Sequence, residues 1–280
     1  MAGVTRPDGL DLDPLAGLLS EAGFVAAEEE ARELSARAAG DPGLLEALIR
    51  RRLTGEPLAW ITGHASFCGV EILVDPGVYV PRWQSEPLAR RAVERLPATG
   101  TAIDLCTGSG AIAKLLSGER PEARVVATDL DGLAVACAAA NGVAVFRGDL
   151  FDPLPSSLQG CVDVVVSVVP YVPTPALAFL PHDTLAFESP LSYDGGPDGT
   201  AILHRVVIGA RRFLRPGGAL LLELGGEQAG QLAHDLDRLG YADVVVLSDG
   251  DGDVRGIEAT ASPRADGRVA ADLRPLGGGG

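Results

Sequence analysis

A glycine-rich turn and two aspartates are the residues of this chain whose types and spacing could do chemistry. Ala102–Gly110 is a short apolar run that contains Asp104 and breaks at Gly108 and Gly110. This pattern predicts a buried strand, a tight turn and a helix whose first N–H groups suit an anion or a carboxylate. Asp104 is expected at the carboxyl end of the strand, where open α/β sheets bind ligands.

The second aspartate stands at the spacing of a nucleoside-binding site. Arg124–Asp129 is another short apolar run that ends in a carboxylate, 19 positions after Gly110. An acidic residue roughly 20 positions beyond a glycine turn can bind a ribose hydroxyl. The glycine pattern departs from Gly-x-Gly-x-x-Gly, because Ala113 stands where the third glycine would be. The spacing therefore predicts a nucleoside crevice and disfavours a dehydrogenase.

Composition and charge narrow the classes of function. Of 280 residues, 46% are hydrophobic and 22% charged, which is typical of a soluble globular protein. We expect a cytoplasmic protein without a membrane partner, since no apolar run approaches the ~20 residues of a membrane span and no signal peptide is seen. The net charge of −15 argues against a nucleic acid partner. The four scattered cysteines are expected as buried hydrophobes, with no disulfide and no metal site, and the oligomeric state stays open.

Helices, a hairpin and an alternating pattern must position these residues. Residues 1–64 predict a small helical domain and residues 65–82 a β-hairpin linker. Strands and helices alternate in 83–262, which predicts a mostly parallel sheet that ends in an antiparallel edge pair. Residues 263–280 predict a disordered tail. We expect strands at 102–106, 124–128, 143–146, 162–167, 218–224, 242–248 and 256–261, and helices at 110–117, 131–140, 198–214 and 227–239.

The β-branched run Val162–Pro173 is the other informative stretch. Its continuous apolar character predicts a central strand that is buried on both faces. Pro170 and Pro173 must lead the chain out of the sheet, at the edge where the glycine turn is expected. Tyr171 between them could line a substrate pocket, or it could be a packed aromatic residue at a strand end.

Together these segments resemble the HemK family of S-adenosylmethionine-dependent protein-glutamine N5-methyltransferases. The resemblance runs from about residue 50 to 260, through Gly55–Leu58, Ile61–Gly63, Phe67–Gly69, Val74–Val78, Val80–Arg82, Asp104–Gly110, Val166–Pro173, Phe187–Pro190, Gly195–Gly199, Leu214–Gly218 and Leu222–Gly225. It implies an α/β fold, with a seven-stranded Rossmann-like class I methyltransferase domain after a small helical domain and a β-hairpin linker. It also implies S-adenosylmethionine as cofactor, no metal, and a glutamine-bearing, release-factor-like protein as substrate.

The resemblance implies roles for single residues as well. The glycine turn would pass under the methionine and ribose of the cofactor, Asp129 would bind the ribose hydroxyls, and the adenine would lie beyond it. The cofactor-binding residues are then Asp104, Cys106, Thr107, Gly108, Ser109, Gly110, Asp129, Leu130, Asp149, Leu150 and Val168. Val169, Pro170 and Tyr171 would be catalytic, and the substrate would contact Val168, Val169, Pro170, Tyr171, Arg82 and Trp83.

Val168 is the departure that bears on the acceptor, since it stands where the family has the asparagine of Asn-Pro-Pro-Tyr. In the family that side chain accepts one N–H of the target amide, and the next backbone carbonyl accepts the other. Only the carbonyl, that of Val169, remains here. An amide nitrogen is a poor nucleophile, and losing one oriented polar partner typically costs ~10²–10³ in rate. The segment around Trp83 departs from the family too, so we expect altered acceptor chemistry.

Three interpretations remain open at this point. The chain could be a methyltransferase of this family that acts on a protein glutamine or another nitrogen. It could be a small-molecule methyltransferase, with Trp83 and Tyr171 as an aromatic wall. It could also bind a cofactor or a partner protein without turnover. Glu188 is expected to cap a loop, and Glu223, on an apolar strand, to be satisfied by backbone groups.

Overall fold

The N-terminal part of the chain is helical. A computed structural model describes residues 12–180 and 186–263. Its first helices are α1 (Leu12–Glu21), α2 (Ala27–Ala38), α3 (Pro42–Leu53) and α4 (Leu58–Thr62). Helix α3 begins where it does because Asp41 accepts hydrogen bonds from two free backbone N–H groups, with proline at the first helical position. The apolar faces of these helices enclose a small core that includes Leu19, Leu34 and Leu48.

A hairpin connects the helices to the sheet and reaches the glycine turn. Strands β1 (His64–Phe67) and β2 (Val70–Leu73) are antiparallel. The Asn141 side chain accepts a hydrogen bond from the Leu73 N–H at 2.9 Å and donates one to the Ser109 carbonyl at 2.8 Å. The hairpin is thereby fixed against the turn that begins the candidate site.

The rest of the chain is a seven-stranded sheet with helices on both faces. The strands are β3 (Thr101–Leu105), β4 (Arg124–Asp129), β5 (Val145–Arg147), β6 (Val162–Ser167), β7 (Leu214–Glu223), β8 (Tyr241–Ser248) and β9 (Val254–Ala261). The helices are α5 (Glu86–Arg95), α6 (Ala111–Glu119), α7 (Gly132–Ala140), α8 (Ala201–Phe213) and α9 (Gln228–Arg238). The strand order is β5-β4-β3-β6-β7-β9-β8, in which only β9 runs antiparallel to the other six strands. The predicted α/β class and antiparallel edge pair are confirmed.

Some predicted boundaries were wrong for identifiable reasons. Strand β7 begins at Leu214 rather than at 218, because Leu214 already pairs with Val162 before the register shifts. Helix α8 begins at Ala201 rather than at 198, since the Asp198 side chain binds the Thr200 N–H and hydroxyl in a turn before the helix. Of the four cysteines predicted to be buried, Cys137 is buried, Cys68 and Cys106 are half-buried, and Cys161 is exposed. The predicted tail lies outside the described residues from 264 onward, and the domain limits stay a prediction.

The sheet order brings three strand ends together. In the parallel registers, Leu105 of β3 lies opposite Thr128 of β4 on one side and Ser167 of β6 on the other. The Ser167 hydroxyl donates a hydrogen bond to the Leu105 carbonyl at 2.8 Å. The chain leaves β3 toward one face of the sheet and β6 toward the other, which opens a crevice at their carboxyl ends.

Candidate active site

The glycine turn is held by Asp104 from below. The Asp104 carboxylate is buried and accepts hydrogen bonds from the Thr107 hydroxyl at 2.6 Å and the Ala113 N–H at 3.1 Å. Burial raises the pKa of Asp104 to about 7, and these two hydrogen bonds oppose the rise. Cys106 adopts the left-handed backbone conformation at φ 55°, which is strained for a residue with a side chain. Asp104 therefore fixes the conformation of the turn through its hydrogen bonds to Thr107 and Ala113.

Asp129 is fixed at the mouth of the turn by backbone groups. Its carboxylate accepts a hydrogen bond from the Gly108 N–H at 2.8 Å and another from the Asp131 N–H at 2.9 Å. Partial burial raises its pKa, and the backbone hydrogen bonds oppose the rise. Each carboxylate oxygen can accept more than one hydrogen bond. The Asp129 carboxylate is thus held in one orientation, and each of its oxygens can still accept a further hydrogen bond.

Most of the predicted cofactor residues line one crevice of about 270 Å³. It is bounded by Asp104, Cys106, Thr107, Gly108, Ser109, Asp129, Leu130, Asp149, Leu150 and Val168, and also by Arg82 and Pro170. Gly110 is the exception, because it packs behind the turn. A Cβ atom there would lie 2.9 Å from Val143 Cγ2 and 3.0 Å from Ala138 Cβ, so glycine is required for packing against helix α7 and the loop that follows it.

The predicted acceptor residues divide between two places. Val168 and Pro170 line the crevice, whereas the Val169 side chain is buried in the core. Tyr171 and Trp83 lie in a second, open cavity of about 870 Å³ beside the crevice. Trp83 is 68% exposed. Trp83 and Tyr171 were expected to form an aromatic wall of the crevice, but they line the neighbouring cavity instead.

The segment after β6 is locked in place by surrounding groups. The Tyr171 hydroxyl donates a hydrogen bond to Glu223 Oε1 at 3.1 Å, and its carbonyl accepts one from Gln228 Nε2 at 2.8 Å. A Cβ atom at Gly199 would lie 2.2 Å from the Tyr171 carbonyl oxygen, so only glycine allows this approach. The recorded partner of Glu223 is thus a tyrosine side chain, not the backbone groups that the sequence suggested.

Arg82 is held by an internal carboxylate. Arg82 Nη2 lies 2.5 Å from Glu188 Oε2, and Glu188 also accepts hydrogen bonds from the Val80 N–H at 3.0 Å and from the Tyr193 hydroxyl. The Glu188 side chain is 1% exposed, and Tyr79 packs edge-on against Tyr193. Glu188 therefore joins the segment before α5 to the loop before α8, rather than capping one loop. Arg82 and Tyr79 line both the crevice and the second cavity. The Arg82–Glu188 pair therefore forms a divider between these two spaces.

Several lining residues were not predicted. Tyr79 and Thr128 line the crevice, and among the described residues the buried Thr128 hydroxyl has no hydrogen-bond partner. Thr128 directly precedes Asp129 at a strand end, a signal that was available in the sequence. Tyr79 carries no such signal, because in sequence it is one residue of an apolar hairpin segment. Burial raises the pKa of the Tyr79 hydroxyl to about 12, so it remains a neutral donor.

Comparison with known proteins identifies the family. No family model matches the chain. The release factor glutamine methyltransferase of Moorella thermoacetica is 40% identical over 213 residues, 72% of this chain and 74% of that protein. The corresponding protein of Geobacter sulfurreducens is 35% identical and covers 73% of each chain. This chain belongs to the release factor glutamine methyltransferase family. The family resemblance predicted from the motifs is confirmed.

One relative carries a different name. The 4-amino-L-phenylalanine/4-methylamino-L-phenylalanine methyltransferase of Streptomyces pristinaespiralis is 36% identical over 243 residues, 78% of this chain and 82% of that protein. Among solved structures, the hMettl16 catalytic domain superposes with a TM-score of 0.51 at 14% identity, over 69% of this chain and 78% of that one. That structure supports the fold alone. Relatives of this chain are therefore named for a protein acceptor and for a small aromatic amine.

S-adenosylmethionine is the cofactor of this methyltransferase, and the crevice fits it. The Asp129 carboxylate is oriented and has lone pairs for two ribose hydroxyls. The unpartnered Thr128 hydroxyl lies beside it, in the crevice wall. The residues that would hold the cofactor are Cys106, Thr107, Gly108 and Ser109 in the turn, Asp129 at the ribose, and Leu130, Asp149 and Leu150 at its far end.

Proposed function

We propose that this methyltransferase acts on the side-chain nitrogen of a glutamine in a release-factor-like protein. The observation that carries this proposal is the position of Val168–Tyr171, which follows β6 and borders the cofactor crevice through Val168 and Pro170. This is the place of the family's acceptor-binding segment. Among the described residues, no hydrogen bond is recorded to the Val169 carbonyl, so it remains available to an acceptor N–H.

The chain's residues contribute orientation and exclusion of water. S-adenosylmethionine supplies an electrophilic methyl group when it is bound. The Val169 carbonyl would accept an N–H of the acceptor and favour the positive charge that develops on the nitrogen. Val168 and Pro170 present apolar surface beside it, which keeps water from the acceptor nitrogen. The Tyr171 carbonyl, two residues further along the chain, accepts a hydrogen bond from Gln228 Nε2 at 2.8 Å, which holds the segment in place before the acceptor binds.

A small aromatic amine is the second candidate acceptor, and Val168 is the observation that favours it. An aromatic amine nitrogen is less delocalised than an amide nitrogen, so it requires fewer oriented acceptors. The Val168 side chain offers none, while the Val169 carbonyl offers one. The relative named for 4-amino-L-phenylalanine supports this candidate. A site that lacks the polar group for an amide also loses its selectivity for amides.

The test is a comparison of acceptors with isotopically labelled S-adenosylmethionine. A release factor domain that carries the family's glutamine is one acceptor, and 4-amino-L-phenylalanine is the other. Labelled glutamine, located by mass spectrometry of the digested protein, supports the proposal. A label only in the amino acid supports the second candidate. A protein that binds the cofactor but labels neither acceptor would overturn both.

The cytoplasmic location stays a prediction; no helix of the described residues is long and apolar enough to cross a membrane.

A further inference from the structure

The second cavity has features that the cofactor crevice does not explain. It is lined by aromatic side chains, by two arginines, by two carboxylates and by Gln84. Its members include Tyr79, Trp83, Tyr171, Tyr193, Arg82, Arg255, Glu223 and Asp253. It adjoins the crevice along Tyr79 and Arg82, which line both. A ligand in the cavity could therefore extend to the crevice, where Val168 lies.

Two buried acceptor atoms lie without partners around this cavity. Among the residues that the structure describes, Glu223 Oε2 and Gln84 Oε1 are buried from solvent and have no hydrogen-bond partner. Glu223 is only 5% exposed, and its other oxygen accepts from Tyr171. A buried acceptor without a donor is destabilising, and more so when it carries a charge. These two atoms could accept hydrogen bonds from the donor groups of a ligand.

The charges around the cavity favour a cation. Arg82 is paired with Glu188, and Arg255 with both Asp249 and Asp253. Within the described ranges, no ion pair is recorded for Glu223. The two guanidinium groups are thus already matched by three carboxylates, and Glu223 adds a fourth. Burial raises the pKa of Glu223, while the Ser85 hydroxyl, the Tyr171 hydroxyl and the charge of Arg255 oppose the rise. A positively charged ligand would stabilise its ionised form further.

The aromatic residues of the cavity narrow the ligand class. Trp83 presents an exposed indole at the cavity, next in sequence to Gln84 and its unpartnered oxygen. The rings of Tyr79 and Tyr171 lie in the same wall. Aromatic faces attract ammonium groups and stack on other rings. A flat aromatic ligand with an ammonium group would satisfy the unpartnered acceptors and these aromatic surfaces together.

We propose that the second cavity binds the ammonium group of a small aromatic amine, with Glu223 and Gln84 as the acceptors that recognise it. The proposal rests on the proposed function for one point only, that the ring of this ligand extends toward the methyl-transfer end of the crevice. Glu223 would then be a specificity-determining residue outside the cofactor site. Substrates without an ammonium would leave its Oε2 unpaired and bind less tightly.

The experiment measures binding without turnover. The full chain, saturated with S-adenosylhomocysteine, is titrated calorimetrically with 4-aminophenethylamine, with 4-ethylaniline, which lacks the ammonium, and with n-butylamine, which lacks the ring. We expect 4-aminophenethylamine to bind at least ~10-fold tighter than either of the others. This is the ratio of dissociation constants expected from one charge-assisted hydrogen bond. Equal affinity for the first two compounds would overturn the ammonium site. Equal affinity for n-butylamine would overturn the aromatic requirement.

Variants assign the effect to the cavity. Glu223→Gln keeps an oxygen for Tyr171 and removes the charge, so the preference for 4-aminophenethylamine over 4-ethylaniline should disappear. Glu227→Gln, an exposed neighbour, is the matched control and should keep it. Gln84→Met should weaken the preference by a smaller factor, and it provides a second measurement if Glu223→Gln does not fold. Folding is checked by S-adenosylhomocysteine affinity. A preference that persists in both variants would overturn the assignment.

This result is separable from the proposed function. A protein that distinguishes the probes but methylates neither glutamine nor an arylamine would keep the ammonium site and overturn the function. A protein that methylates one of those acceptors but does not distinguish the probes would overturn the ammonium site alone.

Discussion

The cofactor crevice and the second cavity adjoin each other and share Tyr79 and Arg82, but they are built in different ways. In the crevice, two backbone N–H groups, that of Gly108 in the glycine turn and that of Asp131, hold the Asp129 carboxylate from two directions. In the second cavity, side chains hold one another, and two acceptor atoms are left without partners. A site that is formed by backbone atoms tolerates most substitutions of its side chains. A site that is formed by side chains changes its ligand when one of those residues is replaced.

This difference accounts for what the family keeps and what this chain has altered. The residues expected around the cofactor match the family pattern from Asp104 to Gly110, apart from the Cys106 side chain. The acceptor side departs from it at Val168 and Trp83. Since S-adenosylmethionine is common to the family, its site is constrained, whereas the acceptor site follows the substrate.

The largest expected effect tests the crevice. Asp129→Ala removes the carboxylate that would bind two ribose hydroxyls, so S-adenosylmethionine affinity should fall by about 100-fold or more, from two hydrogen bonds to a charged group. Calorimetric titration measures it. Asp152→Ala, an exposed aspartate in the same part of the chain, is the control and should bind as the wild type does. Wild-type affinity in Asp129→Ala would place the ribose elsewhere.

The next prediction restores the missing acceptor. Val168→Asn provides a side-chain oxygen beside the Val169 carbonyl, and we expect the rate of glutamine methylation to rise by ~10²–10³. Val168→Leu, which adds no acceptor, is the control. Initial rates with the release factor domain measure the effect, and the affinity for S-adenosylmethionine should not change. An unchanged rate in Val168→Asn would show that orientation of the amide does not limit transfer here.

A smaller effect tests the divider between the two spaces. Arg82→Met removes the cation from the nearly fully buried Glu188 carboxylate, so the free energy of unfolding should fall by about 2–3 kcal/mol. Urea denaturation measures it. The matched control is Arg90→Met, which breaks an exposed pair with Glu86 and should cost less than ~1 kcal/mol. Equal costs would mean that the divider contributes no more than a surface pair.

The last prediction concerns the glycine turn and gives the direction of a pH dependence. The pKa of Asp104 rises from 3.8 to about 7 in the folded protein, so between these values the folded state binds more protons than the unfolded chain. The free energy of unfolding should therefore fall as pH rises through this interval, and stay level above it. Asp104→Asn keeps an acceptor for Thr107 and lacks this decrease.

Urea denaturation of both proteins at about pH 4.5 and about pH 7.5 tests the sign through their difference. The wild type should lose stability relative to Asp104→Asn at the higher pH. A wild type that gains stability relative to the variant would mean that Asp104 is ionised in the folded protein throughout, and that its hydrogen bonds outweigh its burial.

The sequence by itself determined the order of elements and the cofactor half of the site. Alternating apolar runs and helical segments fixed the sheet and its antiparallel edge, because burial of a two-sided sheet requires those patterns. Gly108 and Asp129 were predictable since turn geometry and spacing along a single βαβ unit are local properties. Val168 was recognisable as a departure for the same reason, as one position in a short motif.

Only the tertiary structure decided what surrounds the acceptor. Arg82 meets Glu188 across 106 positions, and Glu223 meets Tyr171 across 52 positions. No local pattern records such contacts, because they depend on how strand ends and loops converge after the sheet has formed. The same convergence separated Trp83 and Tyr171 from the cofactor crevice and placed them in a second cavity. The cofactor site is encoded locally by backbone geometry, whereas the proposed acceptor site arises from long-range side-chain packing.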